Sequence, residues 1–213
     1  MQNEVNNFSL AEEIWHAITH GVGFFLSIIA LVLLVSFATL NGDAIAIISA
    51  SIYGTSLVVM YGSSTLYHAI THRDIKHLFQ KFDHSAIYFL IAGTYTPIVL
   101  LNIGGNEGWA IFGIEWFIAI VGIFLKFKYP NRFETLSLIA YVVMGWLIML
   151  VIESLKSNIE PMGFYLIIAG GATYTSGVIF YIKDHINYYH AIWHLFVLLG
   201  SIFHFFAILL YVV

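Results

Sequence analysis

Seven apolar stretches dominate this sequence, each close to the ~20 residues that a helix needs to cross a bilayer. They run approximately Thr19–Leu40, Ala44–Tyr67, His84–Leu101, Gly108–Leu125, Phe133–Ile152, Met162–Tyr181 and Tyr189–Val213. Together they use most of the 213 residues and leave only short connectors. The blocks are continuous apolar runs, unlike the alternating strands of a membrane barrel. Hydrocarbon offers no water to backbone polar groups, so each span must satisfy its own, and a helix does so locally. The expectation is an all-α, polytopic bundle of seven transmembrane helices, one domain over residues 1–213, in the cell membrane. A six-span alternative arises only from the closely spaced blocks around Tyr129.

Composition excludes the soluble alternatives. Hydrophobic residues make up 60% of the chain and charged ones 9%, against roughly 25% charged in a typical globular chain. So few charges cannot coat a water-facing surface of this size. The absence of cysteine removes disulfides, thiolate ligands and cysteine nucleophiles. A net charge of −4 without a basic tail argues against a nucleic-acid partner. The first block has an acidic flank (Glu4, Glu12, Glu13) and too long an apolar run for a secretory leader. Turn residues such as Asn41-Gly42-Asp43, Asn102 to Glu107 and Pro130-Asn131 punctuate the blocks.

Orientation follows from the basic residues. Arg73, Lys76, Lys81, Lys126, Lys128, Arg132 and Lys183 fall on one side, and only Lys156 on the other. The positive-inside rule then puts the N-terminus inside and the C-terminus outside. In one inner connector Ile75, Leu78, Phe79 and Phe82 recur at helical spacing among Arg73, Lys76, Gln80 and Lys81. That pattern predicts a short amphipathic helix lying in the interface.

Histidine is the compositional outlier, with ten residues. Nine of them (His16, His20, His68, His72, His77, His84, His185, His190 and His194) fall at the inner end of this topology, and His204 lies deeper. His190 and His194 are four apart and share a helix face, which continues through Val197 and Ser201 to His204. A polar stripe on an apolar span should face the bundle interior. Ser64 and His68 are again four apart, at the inner end of the second span, and Asp83 opens the third. Three imidazoles (His68, His190, His194) and a carboxylate at one depth fit a zinc site with an open coordination position. They equally fit a hydrogen-bonded histidine–aspartate network without metal.

Several residues invite separate readings. His16-Ala-Ile-Thr-His20 recurs verbatim at His68–His72, yet no fixed period supports a duplication. His20 reads as interfacial packing, with a supporting role at the cluster as the alternative. Pro97 should kink the third span, with Thr94 and Thr96 satisfying freed backbone groups. Glu115, inside the fourth span, should hydrogen-bond to a neighbour; proton movement is the alternative. Gly170-Gly171 and Gly177 should allow close helix packing.

Taken together, Ser63 to His68, Lys81-Phe82-Asp83, Gly93-Thr94-Tyr95-Thr96-Pro97, His16 to Gly23 and His190-Ala-Ile-Trp-His194 with His204 resemble the haemolysin III branch of the progestin and adiponectin receptor family. The resemblance covers nearly the whole chain. It implies seven spans with the N-terminus inside, and zinc bound by His68, His190 and His194. It also implies an Asp83 that approaches the metal through water and a Ser64 one turn before the first ligand. The soluble N-terminal region of the eukaryotic receptors has no counterpart here, so no soluble protein partner is implied. Two functions are consistent with these residues. One is a zinc-dependent hydrolase of lipid amides or esters, with Asp83 and Ser64 as catalytic residues and membrane lipids as partners. The other is a pore-forming haemolysin or membrane-homeostasis sensor in which zinc is structural.

Overall fold

The computed structural model describes residues 8–130 and 132–213. Glu4 and Asn131, used above as flank and turn signals, lie outside the described residues. Seven helices are long and apolar enough to span a membrane: α1 (Leu10–Asn41), α2 (Ala44–Ala69), α3 (Arg73–Ile103), α4 (Gly105–Lys128), α5 (Glu134–Asn158), α6 (Pro161–Ile182) and α7 (Tyr189–Tyr211). The protein is therefore a multi-pass integral membrane protein, as its seven apolar blocks predict. No strand occurs among the described residues.

Two spans begin earlier than their apolar runs suggest, for the same reason. Helix α1 starts at Leu10 because Ser9 caps it: its Oγ accepts from Glu12 N at 3.3 Å, and Glu12 Oε2 accepts from Ser9 N at 3.0 Å. The charged first turns are then stabilised by inward partners instead of marking a connector. Helix α3 likewise starts at Arg73, and the expected interfacial helix is instead its first turns. No glycine or proline interrupts residues 73–92, so nothing ends a helix there. Ile75, Leu78 and Phe82 face outward, whereas Gln80 and Asp83 are buried.

Side-chain periodicity sets the packing. The buried residues of α1 are Glu12, His16, His20, Gly23, Ser27, Ala30, Leu34 and Ala38, an inward stripe at spacings of three and four. Trp15, Val22, Phe25, Ile29 and Val32 point outward, where lipid would lie. Sequential helices pack on one another, and α1 also packs on α7, joining the two ends of the chain. Helices α2 and α3 are the most enclosed, with 50% and 61% of their spanning windows buried against 17% in α6. They form the centre to which the functional side chains attach.

The π-helical and 3₁₀ segments lie towards the end of the bundle away from the clustered histidines. Pro97 closes the α-helical part of α3, and Ile98–Ile103 continue it as a wider π-helical turn. Thr94 and Thr96 donate to Leu90 O (2.7 Å) and Ala92 O (2.8 Å). They thus double existing helix carbonyls and leave alone the one that Pro97 frees at Gly93, correcting the expected role. Gly104 and Gly105, at φ 63° and 53°, supply the left-handed turn into α4. In α5, Leu147–Val151 tighten into a 3₁₀ turn, where Tyr95 Oη accepts from Ile148 N at 2.9 Å.

The small residues of α6 behave differently from one another. A Cβ at Gly170 would overlap the His204 ring, and one at Gly177 would overlap Trp193 and Phe196. Both support close approach of α6 and α7, as expected. Gly171 has nothing within 4 Å of where its Cβ would be and lines an internal cavity instead.

Candidate metal centre

Each histidine of the cluster is placed by a helix stripe. His16 and His20 lie on the inward face of α1, His68 in the last turn of α2, and His190 and His194 in the first turns of α7. One nitrogen from each of His68, His190 and His194 lies within 4.8 Å of the others, and all three residues are buried. The trio singled out by spacing thus converges in space. Their ring centroids stand 5.4 Å (His68–His190), 5.1 Å (His68–His194) and 4.8 Å (His190–His194) apart.

The partners of these rings decide which lone pairs are free. His68 Nδ1 meets Glu13 Oε2 at 2.6 Å. A carboxylate only accepts, so Nδ1 carries the proton and Nε2 keeps its lone pair. That Nε2 is buried without a hydrogen-bond partner. His194 Nδ1 lies 3.3 Å from His16 O and 3.2 Å from Thr19 Oγ1. The Thr19 hydroxyl already donates to Trp15 O at 2.9 Å, so Nδ1 is again the donor and Nε2 the free acceptor. His190 Nδ1 is buried and unpartnered. Buried polar atoms are ordinarily hydrogen-bonded, so three converging imidazoles, two of them with an orphaned nitrogen, are a donor set suited to a metal cation. These residues fit the ion that the family resemblance implies.

Around the trio stands a polar shell that spacing did not reveal. Glu13 also pairs with Lys76 Nζ at 2.9 Å, and Lys76 donates to Tyr67 O at 2.9 Å. Glu13 is thereby fixed from α3 while it orients a ring on α2, the arrangement by which a carboxylate fixes a ligand histidine and raises its basicity. Glu13, His16 and His68 also form a group with metal-binding spacing. His16 is fully buried, with its ring 4.7 Å from His68, 4.8 Å from His190 and 5.3 Å from His194. Neither of its nitrogens has a hydrogen-bond partner. His20 is not interfacial packing. Its ring stacks on His194 at 3.6 Å and 9°, and its Nδ1 meets Ser64 Oγ at 2.7 Å. The sequence signals for this shell were the four-residue spacing of His16 and His20 and the S-x-x-E pattern at Ser9–Glu12, which marks where α1 begins.

Ser64 lies between His20 and Asp83, whose carboxyl interacts with its hydroxyl. Asp83 is buried, and its Oδ1 has no hydrogen-bond partner. The histidines left outside the cluster are His72 and His185, which are exposed, together with His77, His84 and the deeper His204. His84 faces Glu134 at 3.8 Å instead.

Two features flank the centre. Phe8 covers it, 4.7 Å from the His16 ring and 5.0 Å from that of His190. An apolar cavity runs from Ile87, Tyr181 and Trp193, one turn from Asp83 and His194, down between α3, α5, α6 and α7 to Tyr95, Gly145 and His204. Glu115 sits apart from both. It is fully buried, and the hydrogen bond expected of it is missing, because neither carboxyl oxygen has a partner. Helix α4 places it level with Tyr95 and Thr96 of α3, whose hydroxyls donate instead to Gly145 O and Ala92 O.

Comparisons with known proteins agree with this architecture. Residues 8–205 match the family described as haemolysin-III related. Hemolysin-3 of Bacillus cereus is 47% identical over 201 residues, covering 94% of this chain and 92% of the relative. A Hemolysin-3 homolog of Bacillus subtilis (strain 168) is 47% identical over 206 residues, 97% of each. The human monocyte to macrophage differentiation factor is 32% identical over 175 residues, 79% of this chain and 72% of the relative. With a match that spans all seven helices and both halves of the histidine cluster, the chain belongs to the haemolysin-III related family, within the wider progestin and adiponectin receptor relationship.

Proposed function

We propose that this protein is a zinc-dependent hydrolase of long-chain lipid amides or esters, with its centre at the cytoplasmic end of the bundle and its chain termini inside (N) and outside (C). The observation that carries this reading is the convergence of His68, His190 and His194, tied through His20 and Ser64 to a buried, half-unpaired Asp83, with Trp193 next to His194 lining an apolar cavity. Zinc at this position would supply a Lewis acid and a water acidified towards neutrality. Asp83 Oδ1, with no donor of its own, is free to accept a proton. Ser64 holds the Asp83 carboxyl and the His20 ring in register. The cavity walls are suited to an extended hydrocarbon chain, and Glu13 keeps the His68 lone pair aimed inward.

The test uses purified protein saturated with zinc in a bilayer and a broad panel of long-chain amide and ester lipids. Wild type releases fatty acid. Asp83→Asn keeps its fold and its zinc but loses ~10²–10⁴-fold in turnover, the usual contribution of an acid–base group. No release by wild type overturns the hydrolase reading. For the orientation, a reporter active only in the cytoplasm stays silent when fused after Val213; activity there reverses the topology.

A second reading is a structural zinc in a pore-forming haemolysin or a membrane-homeostasis sensor. The cover that Phe8 places over the cluster favours it, as does the printed name of the Bacillus relatives. In that case Asp83→Asn changes only thermal stability and zinc retention.

A further inference from the structure

His204 is a buried imidazole that neither the metal centre nor its shell uses. It lies at the deep end of the apolar cavity and also lines a smaller pocket beyond it, among Ile98, Ile148, Ile167 and Gly171. Its Nε2 meets Ile167 O at 3.0 Å. A carbonyl only accepts, so Nε2 carries the proton and Nδ1 is left with a lone pair. That Nδ1 has no hydrogen-bond partner. The ring cannot withdraw towards α6, because Gly170 already lacks the Cβ that would overlap it.

The hydroxyls near this end of the cavity, and that of Tyr141, are already engaged, whereas Tyr181 and Trp193 bring their polar groups to the opposite end. Thr94 Oγ1 donates to Leu90 O, Tyr95 Oη to Gly145 O, Tyr141 Oη to His84 O and Thr175 Oγ1 to Gly171 O. Tyr174 Oη shares its bond with Ser201 Oγ at 2.7 Å. The cavity thus presents a long apolar wall, with Tyr181 and Trp193 towards one end and the unfilled acceptor of His204 at the other. An unmet buried acceptor costs free energy that a suitably placed donor recovers.

We propose that His204 accepts a hydrogen bond from a hydroxyl borne on the chain of a bound lipid, so that the cavity selects hydroxylated over unsubstituted long chains. The position of that hydroxyl rests on the reading above, in which the lipid's carbonyl sits at the metal centre. His204 is ten residues beyond His194 on one helix, or ~15 Å along the axis. That is the reach of roughly a dozen carbon–carbon bonds of ~1.5 Å in zigzag. The hydroxyl therefore belongs near the twelfth carbon.

The experiment measures binding, not turnover, by quenching of tryptophan fluorescence (Trp146 and Trp193 both line the cavity). The probes are octadecanoate, 12-hydroxyoctadecanoate and 3-hydroxyoctadecanoate, with detergent-solubilised, zinc-loaded full chain. Wild type is expected to hold the 12-hydroxy acid about threefold to tenfold more tightly than either other acid, the worth of one buried hydrogen bond. His204→Phe is expected to lose that preference while still binding octadecanoate. Equal binding of the three acids by wild type overturns the proposal, as does a preference that survives in His204→Phe. If His204→Phe fails to fold, the wild-type comparison of the 12- and 3-hydroxy acids decides alone. Hydrolysis is read separately as fatty acid release, so a 12-hydroxy preference without turnover sinks the enzyme reading and leaves the selective cavity standing.

Discussion

The two ends of the bundle bury polar groups in opposite ways. At the histidine end, imidazoles, carboxylates and Lys76 from α1, α2, α3 and α7 share one small volume, and most have a named partner. Towards the other end, Glu115 of α4 is equally buried but has no partner for either oxygen. The first arrangement is a supported network, in which one group fixes the orientation of the next. The second is an acid whose nearest hydroxyls donate elsewhere, held by the packing around it. The same degree of burial therefore carries different energetic meaning at the two ends. At the histidine end the missing bonds converge on a common point, as a ligand would require.

The most damaging change to the network is removal of its two α7 rings. His190→Ala with His194→Ala leaves His68 alone of the trio, and purified protein is expected to lose its metal completely by elemental analysis. His185, exposed in the connector before α7, is expected to be replaceable without metal loss. A double variant that keeps full metal occupancy would falsify the assignment of the site.

A smaller effect is expected from Glu13→Gln. The amide retains size but no longer draws the proton of His68 Nδ1 as a carboxylate does, and it breaks the pair with Lys76. Loss of such a supporting group typically costs ~10–100-fold in metal affinity. Competition against a chelator measures it. Unchanged affinity would mean that His68 is held by packing alone, and the contrast between the two ends would narrow.

How much of this was legible beforehand differs along the chain. The seven spans were, because continuous apolar runs of bilayer length have few other uses. So was the α7 stripe from His190 to His204, since helical periodicity alone puts those residues on one face. The starts of α1 and α3 were not. Charged residues such as Glu13 and Lys76 read as connector until their inward pairing across helices is known, and pairing between residues so far apart in sequence leaves no local trace. His16 and His20 were hidden for the same reason: their stripe on α1 is visible, but what it faces is set by tertiary packing. Glu115 was misjudged because a buried acid normally finds a donor, and here the nearest hydroxyls donate elsewhere.

The smallest effect is expected at that residue. Glu115→Leu removes a buried group without a partner and fills the space with hydrocarbon. Stability should rise by about 1–3 kcal/mol, the cost of an unmet buried polar group, read as a higher Tm in detergent. A fall in Tm would show that the carboxyl is engaged after all, and the two ends would then be alike.

One contact at the start of α1 bears on how the chain is made. Glu12 Oε1 accepts from the backbone N–H of Tyr188, at 2.9 Å and across 176 positions of sequence, where Tyr188 takes up the left-handed turn that launches α7. Translation delivers the first helix into the bilayer long before the last one exists. Glu13, His20 and His68 can find partners on α1 to α3 as those helices arrive, but Glu12 must wait for Tyr188, and the cluster for His190 and His194. The proposed metal site is then the last part of the bundle to be completed, available only to a chain that has been translated past its seventh span. A product truncated before α7 lacks both His190 and His194 and the Tyr188 N–H that Glu12 accepts from.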